Sequence, residues 1–151
     1  MKMIGISGLV AVLALLPDAA LAAPSETEVV DAWTTAGGES SGEAPLYMTL
    51  TNRGNTPDAL IRARCPVAWA SEPRTTDHGE GGLVSRAVKS IAIPPNAQVR
   101  LEPGGFYVAL LQLKEPLHEG DTFTCAVTFN GGAKDVVVRV SATAEKPHDN
   151  Q

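Results

Sequence analysis

The chain has 151 residues, of which 44% are hydrophobic, and a formal net charge of −5. This length suits a single domain with one core. Its 12 lysines and arginines are outnumbered by 17 aspartates and glutamates. They form no cluster or stripe along the sequence, so nucleic acid is not expected as a partner.

The first 22 residues have the features of a secretory signal peptide. Lys2 precedes an apolar run over residues 4–16, Pro17 ends the run, and Ala20-Leu21-Ala22 is an A-x-A cleavage signal. We therefore expect export to the periplasm, with cleavage near Ala22. An uncleaved anchor is the alternative. No later segment is long and apolar enough to span a membrane, so the mature form is expected to have no membrane span.

Residues 23–144 are predicted to form one domain, and its first half alternates between apolar and polar residues. Strict alternation is typical of a strand with one buried face. Strands are predicted at residues 29–33, 46–51 and 59–65, separated by a Gly/Ser loop at 34–43 and a turn at 52–55.

The second half continues with short strands between Gly/Pro turns, after a segment at residues 73–82 that we predict as a polar loop. Asn130-Gly131-Gly132 is predicted as a hairpin turn. The polar tail at 145–151 is expected to be disordered. Strands are predicted within residues 84–93 and at 99–101, 106–113, 123–129 and 136–140.

Seven or eight short strands, with no sustained helical period, predict an all-β sandwich whose function lies on loops at one end. The chain contains neither G-x-S-x-G nor H-E-x-x-H, and no motif places a histidine beside a nucleophile. An enzyme is therefore not expected.

The two cysteines, Cys65 and Cys125, each lie on the apolar face of a predicted strand. In an oxidising compartment such a pair predicts a disulfide, which facing sheets would close across the core. Two free buried thiols are the alternative.

The segment LEPGGFYVALLQLKEPLHEGD, residues 101–121, resembles the signature of the periplasmic copper chaperones called PCu(A)C or PCuAC. In that family a PGG turn is followed by an aromatic residue, then His-x-Met, then L-x-x-P-L-x-x-G-D. The residues that keep this pattern are Pro103, Gly104, Gly105, Phe106, Leu113, Pro116, Leu117, Gly120 and Asp121.

Shorter matches to the same family occur in order at residues 31–33, 46–52, 58–60 and 90–94 and at Phe129. The resemblance implies a cupredoxin-like Greek-key β-sandwich. It also implies a role in holding Cu(I) in the periplasm for delivery to a terminal oxidase, with a periplasmic oxidase-assembly protein as partner.

The family's copper ligands are replaced in this chain. The family binds Cu(I) through an early His, a Met, and the His-x-Met after the PGG turn. The corresponding positions are aligned here with Ser71, Ser85, Tyr107 and Ala109, and no methionine follows Met48. Since Cu(I) favours thioether and imidazole ligands, we expect no tight Cu(I) site. The alternative function is a metal-free β-sandwich module that docks a periplasmic protein.

Two smaller interpretations remain open. His78 lies between Asp77 and Glu80, and these three side chains are a weak candidate site for Zn(II) or Cu(II); an exposed loop histidine is the alternative. Tyr107 and Ala109 share one strand face, where they either close the rim as an interaction surface or simply fill space.

Overall fold

A computed structural model of the chain describes residues 25–37 and 42–142, whose regular structure is entirely β-strand. The described residues contain no helix that is long and apolar enough to cross a membrane. The predicted signal peptide and the tail at 145–151 lie outside the described residues. The strands are β1 (Thr27–Thr35), β2 (Ala44–Asn52), β3 (Asp58–Arg64), β4 (Ala68–Gly79), β5 (Gly82–Ala87), β6 (Ile91–Ile93), β7 (Gln98–Leu101), β8 (Tyr107–Leu113), β9 (Thr122–Phe129) and β10 (Gly132–Ser141).

The strands follow one another in the order β5-β4-β8-β2-β1-β10-β9-β3-β6, and β7 pairs with the second half of β2. β1 and β10 pair in parallel, and the other strand pairs are antiparallel. The sheet closes over a single apolar core as a β-sandwich. The predicted all-β sandwich fold is therefore confirmed.

The core follows from the two-residue period of the strands, which sends alternate side chains inward. Met48 lies in this core with 1% of its surface exposed, so the one methionine outside the first three residues packs as an apolar side chain. Its buried neighbours come from both halves of the chain: Leu46, Leu50, Leu60, Ile93, Val108, Leu110, Val127, Phe129 and Val138.

The segment at residues 73–82 is not a loop, and the prediction was wrong there. It belongs to a hairpin in which β4 pairs with β5, from Arg74 opposite Ala87 to Gly79 opposite Gly82. All of β5 is exposed, so no buried face marks the strand with alternating apolar residues. The described strands consequently number ten instead of seven or eight.

The predicted disulfide is confirmed: Cys65 and Cys125 are bonded, with their Cα atoms 4.4 Å apart and 60 positions between them in sequence. Cys65 directly follows β3 and Cys125 lies on β9, and these strands are hydrogen-bonded neighbours. The bridge therefore joins adjacent strands, and the expectation that it would join facing sheets across the core was wrong.

Replacing both cysteines by alanine is expected to lower the free energy of unfolding by roughly 4 kcal/mol, because the bridge closes a long loop in the unfolded chain. Denaturant unfolding of Cys65→Ala/Cys125→Ala against the oxidised protein measures this difference. As a control, thiol titration of the denatured, unreduced protein should count none. Two reactive thiols would contradict the assignment.

Candidate functional site

The PGG turn stands at one end of the sandwich, directly before β8. Gly104 has a φ of 83°, in the left-handed region that favours glycine. The turn is closed by hydrogen bonds from Gly105 N to Glu102 O at 3.0 Å and from Glu102 N to Phe106 O at 3.1 Å. This geometry places Tyr107 as the first residue of β8, so the glycines of the signature keep a local structural purpose.

Strand β4 holds this turn through side chains on one of its faces. Thr76 Oγ1 donates to Gly105 O at 2.9 Å, and His78 Nε2 donates to Gly104 O at 2.9 Å. Residues 74, 76 and 78 share this face because side chains alternate along a strand. His78 is therefore hydrogen-bonded to the backbone of the PGG turn and fixes it to β4.

The neighbouring Asp77 makes a different contact from His78. Its carboxylate pairs with Arg86 at 2.9 Å, and the hydrogen bond from Arg86 lowers the pKa of Asp77. Among residues 25–37 and 42–142, no group of three His, Cys, Asp or Glu side chains is arranged to hold a metal ion. The side chains of Asp77, His78 and Glu80, suggested by the sequence, are thus not arranged as such a group.

Arg74 is the cation that pairs with two carboxylates at this end of the sandwich. It faces Tyr107 in the β4–β8 register. Its Nη2 lies 2.6 Å from Glu72 Oε1, and its Nη1 lies 3.1 Å from Glu43 Oε2. Burial lowers the pKa of Arg74, but hydrogen bonds to Glu72 and Tyr107 and the charge of Glu43 outweigh it and raise the pKa above its ordinary value. The guanidinium is a fixed cation, with only 20% of the side chain exposed.

Three of the four positions aligned with copper ligands meet beside this cation. Ser85, Tyr107 and Ala109 line one cleft of about 410 Å³. The hydroxyls of Ser85 and Tyr107 are hydrogen-bonded to each other. Ala109 is 1% exposed and forms part of the floor. We call this cleft, together with Arg74, the site end.

Ser71 does not belong to the site end. Its hydroxyl donates to Ala63 O and accepts from Ala63 N at 3.1 Å, in a separate groove between β3 and β4. Residues 71 and 74 lie an odd number of positions apart on β4, so their side chains point to opposite faces. Arg74, and not Ser71, lies beside Tyr107. Recognising β4 as a strand would have revealed this parity.

An aromatic row supports the cleft from the core. The rings of Trp33 and Tyr47 have centroids 4.6 Å apart, and those of Tyr47 and Tyr107 are 6.2 Å apart. Tyr47 is 7% exposed, and burial, followed by the charge of Tyr107, raises the pKa of its phenol. Tyr47 therefore stays protonated at neutral pH, and it lines the cleft.

The donor groups of the cleft do not fit Cu(I). They are hydroxyls, the Glu43 carboxylate and backbone, and Arg74 contacts both Glu43 and Tyr107, whereas Cu(I) favours thioether and imidazole. The guanidinium remains charged at every accessible pH and repels a second cation.

The rim of the site end is apolar. Leu83, which lines the cleft, is 65% exposed, and Phe106 in the turn is 39% exposed. Large apolar side chains exposed at one end of a fold are typical of a contact surface.

Comparison with solved structures places this fold among copper-chaperone domains. The structure titled "Copper-bound PCuAC domain from PmoF2" superposes with a TM-score of 0.66 at 23% identity, covering 80% of this chain and 97% of that domain. At this identity the likeness concerns the fold alone. The solution structure of CuI-DR1885 from Deinococcus radiodurans gives a TM-score of 0.62 at 29% identity and covers 85% of each chain.

A curated relative is the "Putative lipoprotein Lxx21020" of Leifsonia xyli subsp. xyli (strain CTCB07), which is 27% identical over 111 residues. The match spans 73% of this chain and 66% of the relative, just under two thirds of its length.

A family model described as "Putative lipoprotein LpqE-like" matches residues 27–142, from the first residue of β1 to the residue after β10. This family is related to PCuAC, in agreement with the solved neighbours. The chain therefore belongs to the LpqE-like family and has the fold of a PCuAC copper chaperone.

Proposed function

We propose that this protein is an exported, metal-free binding module on the PCuAC fold, which docks a protein partner at its site end. The observation that carries the proposal is the guanidinium of Arg74, which contacts Tyr107 at one of the positions aligned with copper ligands and is balanced by Glu72 and Glu43. The proposal does not include catalysis, because no catalytic motif occurs in the chain.

The guanidinium supplies the positive charge that a bound metal ion would bring to this place. Two carboxylates and the Tyr107 hydroxyl already contact it. A Cu(I) ion entering the cleft would meet a like charge and hydroxyl donors. Arg74 thus links Glu43, Glu72 and Tyr107 at the site end without metal.

The apolar rim supports docking of a protein. Leu83 lines the same cleft as Tyr107, and Phe106 precedes Tyr107 in sequence. Tyrosine often anchors interfaces because its ring is large and its hydroxyl is polar. The hydrogen bonds from Thr76 and His78 hold the turn in one shape. A preformed surface loses little conformational entropy on binding.

The family resemblance suggests which pathway the partner belongs to. Solved neighbours of this fold carry copper in their names, and the sequence signature is that of Cu(I) handling for terminal oxidase assembly. We therefore propose a periplasmic oxidase-assembly protein as the partner. The names of the lipoprotein relatives agree with a site of action outside the cytoplasm.

Titration of the mature protein with Cu(I) against a competing chelator tests the loss of the metal site. No one-to-one transfer of Cu(I) from chelator to protein is expected, because the cleft offers neither thioether nor imidazole. A tight stoichiometric complex would refute the metal-free proposal and restore a chaperone that carries Cu(I) itself.

Restoring the ligands should create Cu(I) binding only when Arg74 is removed. The variant Arg74→His/Ser85→Met/Tyr107→His/Ala109→Met is expected to compete with the chelator. Its matched control keeps Arg74 and carries Ser71→His instead. That control should bind at least roughly tenfold more weakly, because the guanidinium remains and residue 71 faces another groove. Equal affinities would place the early ligand position at Ser71.

Docking is tested by capture from a periplasmic extract on immobilised protein. Leu83→Ser and Phe106→Ser are each expected to reduce the captured partner at least about fivefold. Val137→Ser, on a residue of β10 that is 62% exposed, is the matched control and should leave capture intact. Melting temperatures should be similar for all three variants. If neither Leu83→Ser nor Phe106→Ser reduces the amount of captured partner, docking at this end is disproved.

A further inference from the structure

The opposite end of β4 carries a second surface, at the hairpin that joins β3 to β4. The turn is closed by a hydrogen bond from Ala68 N to Cys65 O at 3.3 Å. Lys114 N, just beyond β8, donates to Val67 O at 2.9 Å and attaches the hairpin to the end of β8. We call residues 62–71 together with Lys114 the β3–β4 tip.

The β3–β4 tip encloses a groove of about 450 Å³ whose charged side chains are all cationic. Arg62 and Arg64 are exposed on the outer face of β3, because they alternate with the buried Ala63 and Cys65. Lys114 contributes the third cation. No aspartate or glutamate is among the residues that line the groove, although the whole chain carries a net charge of −5.

Trp69 projects from the same surface. It is 72% exposed, whereas Trp33 is 5% exposed. The Nζ atom of Lys114 lies 4.2 Å from the centroid of the Trp69 ring, a cation–π contact. Pro66 beside it is also exposed. Such high solvent exposure is unusual for a large apolar ring such as the indole of Trp69.

The β3–β4 tip is rigid before it binds anything. The disulfide joins Cys65, the residue before Pro66, to β9. The Ser71 hydroxyl bridges to both backbone groups of Ala63 across the groove. Little ordering is needed when such a surface meets its target.

We infer that the β3–β4 tip docks the protein onto an anionic phospholipid surface. Indole rings partition into the headgroup region, where their apolar and polar parts are both satisfied. Arginines and lysines near such a surface are attracted by its negative potential. Docking in this orientation directs β4 away from the membrane, so that the site end faces the aqueous side.

An acidic protein fits this surface less well. A stable protein interface buries about 800 Å² per partner and contains several apolar or aromatic anchors. The groove floor instead consists of small side chains, and Trp69 is the single large aromatic among the lining residues. One interfacial indole with three cations matches the chemistry of a peripheral membrane contact. The inference is independent of the proposed function, because the two surfaces occupy opposite ends of β4.

Co-sedimentation of the mature chain, starting at residue 23, with lipid vesicles tests the inference. Binding is expected to phosphatidylglycerol vesicles and not to phosphatidylcholine vesicles, and it should weaken as salt screens the charges. Tryptophan fluorescence should shift to the blue on binding in the wild type. The shift should be absent in Trp69→Ala, because Trp33 is already buried.

Charge reversal locates the contact. Arg62→Glu/Arg64→Glu is expected to reduce vesicle partitioning at least about tenfold. The matched control, Lys89→Glu/Arg100→Glu, has the same net charge on exposed residues that do not line the groove. It should remain within about twofold of the wild type. Thermal unfolding confirms that each variant is folded.

Three results would overturn the inference. The first is equal binding to both vesicle types. The second is equal loss of binding in the two double variants. The third is a fluorescence response to inorganic phosphate that matches the vesicle response without any co-sedimentation, which would reveal a site for a soluble anion. Loss of partner capture by the rim variants bears on the proposed function alone.

Discussion

The antiparallel pairing of β4 with β8 is the constraint on which both functional surfaces depend. The register runs from Ala68 opposite Leu113 to Arg74 opposite Tyr107. At one end it brings the guanidinium of Arg74 to the Tyr107 phenol. At the other end it brings Lys114 to Trp69. A shift of one residue would turn each side chain of β4 to the other face and dismantle both surfaces together.

The site end shows how a fold can keep the shape of a metal-binding turn without donors for the metal. The turn is held by the positive φ of Gly104 and by hydrogen bonds from Thr76 and His78. The positive charge beside the cleft comes from the guanidinium of Arg74, which is part of the chain and cannot dissociate as a metal ion can. Because Glu72 and Glu43 are placed to balance this charge, removing Arg74 alone would leave two carboxylates repelling one another.

The two surfaces differ in chemistry as well as position. The rim around the site end is apolar, with Leu83 and Phe106 exposed, and it suits a protein partner. The β3–β4 tip is cationic and suits an anionic membrane. Their separation along β4 allows both proposed contacts at once, with the partner on the side that faces away from the lipid.

The sequence by itself determined the all-β class, most of the strands and the disulfide, because a strand with one buried face carries a two-residue pattern and a cysteine on that face points inward. The family resemblance in the sequence also assigned Tyr107 and Ala109 to ligand positions, and both residues line one cleft in the structure. Only the tertiary structure decided that Arg74, rather than Ser71, completes the site end, and that Arg62 and Arg64 meet Lys114 in one groove. The β4–β5 hairpin is exposed, so no alternation of apolar and polar residues shows in the sequence which of its side chains share a face. The arginines and the lysine are about fifty residues apart in sequence, so only the hydrogen-bonded register between distant strands places them together.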